Sequence, residues 1–287
     1  MRDIYQAVAD KILAALDSGT VPWRKTWQGA ANETPRNLST GKPYRGVNVW
    51  LLLLADMPSP YWLTFQQALG LGGCVRKGSK GTPVVFWGTR EVEKDGVIEE
   101  RWFLKTYTVF NASQCDLPAD VLPGEIAPRS NDPIESAQFI ADQYVYREKL
   151  QVTHEGSRAF YRPVTDSVTM PPMSAFDSST AYYATLFHEL SHSTGHPSRL
   201  GRLKVDSAVA AFGTEEYSRE ELVAEFGAAF LCSAAGIANE AEIKNSAAYI
   251  ASWRRFIKDD PRAVVVAAAS AQRAADCILG IDFGDPS

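Results

Sequence analysis

Apolar residues recur at helical spacing from the start of the chain. Ile4, Val8, Ile12 and Leu16 form one stripe and predict an amphipathic helix over residues 1–17, ended by Asp17-Ser-Gly-Thr. The pattern then loosens into a Pro22-Trp-Arg-Lys-Thr-Trp27 loop, a short helix over Trp50–Ala55 and a glycine-rich basic loop, Leu71–Gly81. β-branched and aromatic runs predict strands at Pro83–Gly88 and Trp102–Asn111, with a charged hairpin turn at Lys94-Asp-Gly96. After the proline-rich stretch Leu117–Pro133, a helix is expected over Ile134–Glu148 and an edge strand over Ala159–Met170, broken at Arg162-Pro163. Tyr183, Leu186, Phe187 and Leu190 mark a buried helix face that starts at Ser178, Ser179 or Thr180 and stops before Gly195 and Pro197. A further helix is expected from a capping Ser218 to Leu231, followed by helices around 238–258 and 262–279. The mixture predicts an α+β chain of two domains, residues 1–117 and 134–287, joined by a linker over 118–133.

Charge changes this picture in one place. The chain of 287 residues has a net charge of -5, yet residues 36–80 carry Arg36, Lys42, Arg45, Arg76, Lys77 and Lys80 against the single acid Asp56. Tyr44, Trp62 and Phe65 lie in the same region. Cations that track phosphates and rings that stack on bases are what single-stranded nucleic acid requires, so these nine residues are the candidate DNA contacts. The alternative is an ordinary aromatic core under an ordinary surface. The glycine-rich loop lacks the P-loop spacing. The longest apolar run, Val49–Ala55, is too short to span a bilayer. The four cysteines are scattered with no C-x-x-C pair, which suits a cytoplasmic protein with reduced thiols and no membrane partner.

Chemistry concentrates in His188-Glu-Leu-Ser-His192-Ser-Thr-Gly-His196, which opens with His-Glu-x-x-His. On a helix, His188 and His192 share one face and can hold one metal, while Glu189 reaches a water on that metal as general base. A catalytic zinc takes three protein ligands and lowers the pKa of water to about 7. Glu221 and Glu225, also four apart, sit on a largely apolar helix, where carboxylates are seldom buried without a partner. Glu221 is assigned as third ligand and Glu225 as acceptor for the far nitrogen of a ligand histidine. The reverse assignment stays open. His196 comes two residues early for a third histidine ligand, residue 198 being serine, and is read as capping the helix, standing behind a ligand histidine or lining the cleft. His154 reads as a strand-end residue. A two-histidine, one-carboxylate site suits zinc, with manganese or cobalt also accommodated.

Four phrases of the first half resemble the N-terminal domain of the ArdC antirestriction proteins of conjugative plasmids, a domain shared with TraC-type plasmid primases. They are Asn37-Leu-Ser-Thr-Gly-Lys-Pro-Tyr-Arg-Gly-Val-Asn48, Trp62-Leu-Thr-Phe-Gln-Gln-Ala68, Gly72-Gly-Cys-Val-Arg-Lys-Gly78 and Tyr107-Thr-Val-Phe-Asn-Ala-Ser-Gln114. The second half, from Ala159 through the histidine motif to Glu221-Leu-Val-Ala-Glu225, is similar to the ArdC zincin-like metallopeptidase domain. The resemblance implies single-stranded DNA binding and protection of incoming DNA from host restriction enzymes. It leaves open whether the second domain cleaves a protein. The alternative is a DNA-binding shield whose metal site is structural or vestigial. A primase module is disfavoured, because no polymerase or primase motif accompanies the shared domain.

Overall fold

A computed structural model describes residues 3–18, 21–23, 34–94, 97–121, 133–203, 214–237 and 246–281. The chain divides into two compact units, one built from Met1–Lys11 and Gln28–Ala127, the other from Ile12–Trp27 and Pro128–Phe283. Its amphipathic start forms α1 (Ile4–Asp17), with Val8, Ile12 and Leu16 buried as their spacing requires.

In the first unit the order is β1 (Arg36–Asn37), α2 (Val47–Leu53), β2 (Tyr61–Thr64), α3 (Phe65–Gly70), β3 (Cys74–Val75), β4 (Thr82–Lys94), β5 (Val97–Asn111) and β6 (Cys115–Asp116). The main sheet runs β1-β2-β5-β4, and β3 pairs with β6 separately. Alternation along β2 divides the core: Trp62 packs with Val84, Val109 and Leu52 of α2, and Leu63 packs with Ala68 of α3. The short α3 starts firmly because Thr64 and Gln67 close a capping box. β4 is an edge strand, and Asn48 satisfies its open groups by donating Nδ2–H to the Val85 carbonyl and accepting the Val85 N–H, both at 2.7 Å.

Three expectations for this half change. The helix expected at Trp50–Ala55 starts earlier, where Gly46 (φ 58) turns the chain into it, and ends before Asp56 takes a left-handed backbone (φ 51). The two strands are longer than their apolar runs, since main-chain pairing continues to Lys94↔Val97 through a stretch of mostly charged residues. The turn residues Asp95 and Gly96, most of the Pro22–Trp27 loop and positions 122–132 of the linker lie outside the described residues, as do 238–245.

The second unit contains α4 (Pro133–Glu148), β7 (Gln151–His154), β8 (Phe160–Arg162), β9 (Ser167–Met170), α5 (Ser179–Ser193), α6 (Glu215–Ala235), α7 (Ser246–Asp259) and α8 (Ala263–Leu279). The single edge strand expected over 159–170 is instead a hairpin. Pro163 lacks the N–H to continue the ladder, and Asp166 (φ 46) reverses the chain. β9 thereby becomes the centre of a β7-β9-β8 sheet and β8 its edge. Ser178 does cap α5, accepting the Ala181 N–H at 3.0 Å. The cap of α6 is Thr214, not Ser218. Ser218 lies one turn inside the helix, buried, with its hydroxyl 2.9 Å from that of Ser252.

Phe187 and Leu190 of α5, Leu222 and Phe226 of α6, and Ala267, Ala268, Ala271 and Ala274 of α8 form the core. Glycine is required at 227 by proximity: a Cβ there would meet Ser191 Oγ at 2.5 Å. α5 and α6 therefore approach closely enough to face their polar stripes together. No helix among the described residues is long and apolar enough to cross a membrane, and none of the four cysteines is in a disulfide.

Candidate metal centre

Two helices supply the cluster. α5 presents His188 and His192 one turn apart, with their Nε2 atoms 3.1 Å from each other. α6 brings Glu221 to both, its carboxylate oxygens 3.6 Å from His188 Nε2 and 3.4 Å from His192 Nε2. Ligand atoms about 2.1 Å from one tetrahedral ion stand roughly 3.4 Å apart, so these donors fit a single divalent ion. His188, His192 and Glu221 form the group among the described residues able to hold one.

The outer ring nitrogens are also engaged. His188 Nδ1 lies 3.5 Å from Glu225, and His192 Nδ1 lies 3.4 Å from Glu220. Glu220 is in turn gripped by Arg202, with Nη2 at 2.9 Å and Nε at 3.2 Å. Arg202 also donates to the Ser191 carbonyl and to Thr194 Oγ1. Each histidine thus meets Glu221 through one nitrogen and an aligning carboxylate through the other.

Proton affinities follow from this packing. Burial alone would depress both imidazoles, but the carboxylates outweigh it. Glu221 raises His188, and Glu220 with Glu221 raises His192 well above the usual range. Glu221 is drawn far below the carboxylate range by the two histidines against its own burial. Burial drives Glu189 the other way, upward, against the pull of His188. The backbone amide of Tyr161 on edge strand β8 also opposes that rise. That strand is anchored: Arg199 is ion-paired with Asp166 in the β8–β9 turn, Tyr161 Oη donates to Asp166 at 2.7 Å, and Arg199 Nε donates to the Ser193 carbonyl at the end of α5.

Comparison with known proteins places this arrangement. Residues 140–270 match a zincin-like metallopeptidase family, and residues 2–110 match the N-terminal domain of anti-restriction factor ArdC. The crystal structure of metal-free antirestriction ArdC from plasmid R388 is 39% identical and superimposes with a TM-score of 0.77 over 96% of both chains. The chain belongs to the ArdC antirestriction family. The Mn(II)-bound R388 ArdC structure matches equally, at 39% identity and TM-score 0.77, covering 98% of this chain and 100% of that one. A protein of Sinorhizobium fredii named y4eC is 35% identical over 96% of this chain and 91% of its own length. Two proteins of Escherichia coli named DNA primase TraC are 36% and 35% identical over 98% of this chain. The chain spans 20% and 27% of their respective lengths. The ArdC-family chain is thus α+β, with two domains, the second zincin-like.

The remaining candidates of this ArdC-family chain fall in several places. His196 does not stand behind a ligand histidine. It follows the end of α5, and its Nδ1 pairs with Ser198 Oγ at 2.7 Å, because the helix terminates before its ring could turn back. His154 ends β7 and pairs with Tyr182 Oη at 2.7 Å. In the first domain, Lys42, Lys77, Lys80 and Phe65 are exposed. Arg36 donates to the Gly41 carbonyl, and Arg76 pairs with Asp116 at 3.3 Å. Arg45 is half-buried. Tyr44, also half-buried, accepts from Asn37 and packs against the core around Trp62. Trp62 itself is a correction: it is 2% exposed, so its ring is core and no base can reach it. Glu220, Arg202 and the Tyr161 amide were not singled out from the sequence. Glu220 stood beside Glu221 as a visible acid, but its partner is a loop arginine that only the fold brings near.

Proposed function

We propose that this chain is an antirestriction protein whose domain 1–117 binds single-stranded DNA and whose domain 134–287 is a metal-dependent peptidase. It protects incoming conjugative DNA in the cytoplasm, acting on restriction enzymes or other proteins bound to that strand. The carrying observation is the cluster of His188, His192 and Glu221 beside Glu189, in a chain that aligns end to end with an antirestriction protein.

His188, His192 and Glu221 would hold the ion, for which zinc suits the donor set and manganese is bound by the R388 neighbour. A divalent ion supplies Lewis acidity, which makes a peptide carbonyl electrophilic and water more acidic. Glu189 takes a proton from the attacking water on its carboxylate and delivers it to the departing amine. The Tyr161 backbone amide favours the ionised form of that carboxylate. Glu220 and Glu225 keep the imidazoles turned toward the site. The open edge of β8 offers backbone groups to an extended peptide in the strand-addition mode.

A mating assay against a restricting host, comparing wild type with Glu189→Gln after both are matched for single-stranded DNA binding, tests this reading. Loss of protection supports catalysis. Full protection by the variant overturns it in favour of a DNA-binding shield with a structural metal site.

A further inference from the structure

The sheet of the first domain presents a second feature that the basic loop does not explain. Directly opposed residues of an antiparallel pair project from the same face. Val84↔Tyr107, Phe86↔Lys105 and Gly88↔Phe103 are such pairs in β4 and β5. At one end of this face Val84 and Val109 are covered by Leu52. Beyond Val84 the cover stops, leaving Phe86 50% and Tyr107 47% exposed. Their rings sit edge to face with centroids 6.0 Å apart. Phe103 continues the row, and Lys105 holds its ammonium 5.0 Å above that ring. Gly88 makes room for it: a Cβ there would stand 2.5 Å from the Phe103 ring. The ring therefore lies across the partner strand rather than standing off it.

Single exposed apolar side chains need no explanation. A row of rings on alternate residues with a cation among them is a different case. Successive side chains on one face are roughly 6.8 Å apart, so the row offers π-faces at a spacing open to unstacked bases. The basic loop with Lys77 and Lys80, both exposed, runs directly into β4, so phosphates are favoured at that end of the row. Duplex DNA keeps its base faces stacked and cannot use such a shelf; a single strand can.

We propose that Phe86 and Tyr107 form a base-stacking platform for single-stranded DNA, with Lys105 contacting the adjacent phosphate. This rests on the single-strand reading above and assigns it a surface distinct from the basic loop. Fluorescence anisotropy of a labelled oligothymidylate with the full chain tests it. Phe86→Ala and Tyr107→Ala should each weaken binding by about tenfold, with an unchanged salt slope. Lys105→Gln should lower the slope of log K against log salt by about 0.7. All three side chains are exposed, and thermal melts matching wild type establish that the variants fold. If wild type binds and Phe86→Ala/Tyr107→Ala binds within twofold of it, the platform is overturned while the single-strand reading survives. If wild type does not bind the strand, that reading itself fails and the platform with it.

Discussion

His188 and His192 are each aimed by a carboxylate behind the ring, and that makes Glu220 and Glu225 testable separately from the ligands. Glu220→Gln should weaken zinc binding by about 10–100-fold, read by calorimetry, whereas Glu221→Gln should remove the site. Equal affinities for Glu220→Gln and wild type would rule out the aligning role. Proton linkage gives a second test. The carboxylates hold both imidazoles above their ordinary pKa against the opposing effect of burial. Their contribution to the metal-free fold is full below the ordinary imidazole value of about 6.5 and is lost as pH rises through the raised value. A metal takes the same nitrogens only after those protons leave. Zinc affinity should therefore climb with pH from 6.5 upward, with proton release visible as a buffer-dependent binding enthalpy. At this scale the motif histidines and Glu189 were legible because i and i+4 spacing is local geometry. Glu220 and the Tyr161 amide were not, because their partners lie on other elements.

α5 and α6 carry all the acids and histidines of the centre, and their approach depends on residue 227 lacking a side chain. Gly227→Ala should destabilise the fold by about 1–3 kcal/mol and loosen metal binding, while adding Ser191→Gly removes the clash and should restore both. Denaturant melts of the two variants would decide it, and a double variant no better than the single would count against the clash. The edge strand has its own anchor. Arg199, with a side chain only 3% exposed, is held by Asp166. Removing its partner by Asp166→Ala should cost about 3–5 kcal/mol, since a buried guanidinium is left uncompensated. Burial would raise Asp166, yet hydrogen bonds from Arg199 and Tyr161 hold it below the carboxylate range. Its stabilisation is therefore present above the unfolded value of about 3.9 and lost as pH falls through the lower folded one. Acid unfolding of wild type should be steeper in that range than acid unfolding of Asp166→Ala. Helix spans were readable at this scale, but the hairpin over 159–170 was not. A proline and a left-handed aspartate fold one apolar run into two strands, and composition registers neither event as a reversal.

For the whole molecule, the proposed function has metal and DNA acting on different domains of the chain. Zinc at about 1,000 times its dissociation constant should stabilise the fold by roughly 4 kcal/mol. That appears as a raised melting temperature that chelation reverses and Glu221→Gln abolishes. A melting temperature unmoved by zinc would argue against a native-state site. By itself the sequence determined the α+β class, the order of most elements, the His-Glu-x-x-His helix and the second helix that answers it with paired glutamates. Those features rest on periodicity, caps and spacing, which are properties of neighbouring residues. Tertiary structure alone decided that Glu221 faces the two Nε2 atoms while Glu225 and Glu220 stand behind the rings. It also decided that Trp62 is core whereas Phe86 and Tyr107 face solvent. All three are aromatic strand residues and read alike in a sequence. What separates them is the extent of the layer packed over each sheet face, and that is set by where distant helices come to rest.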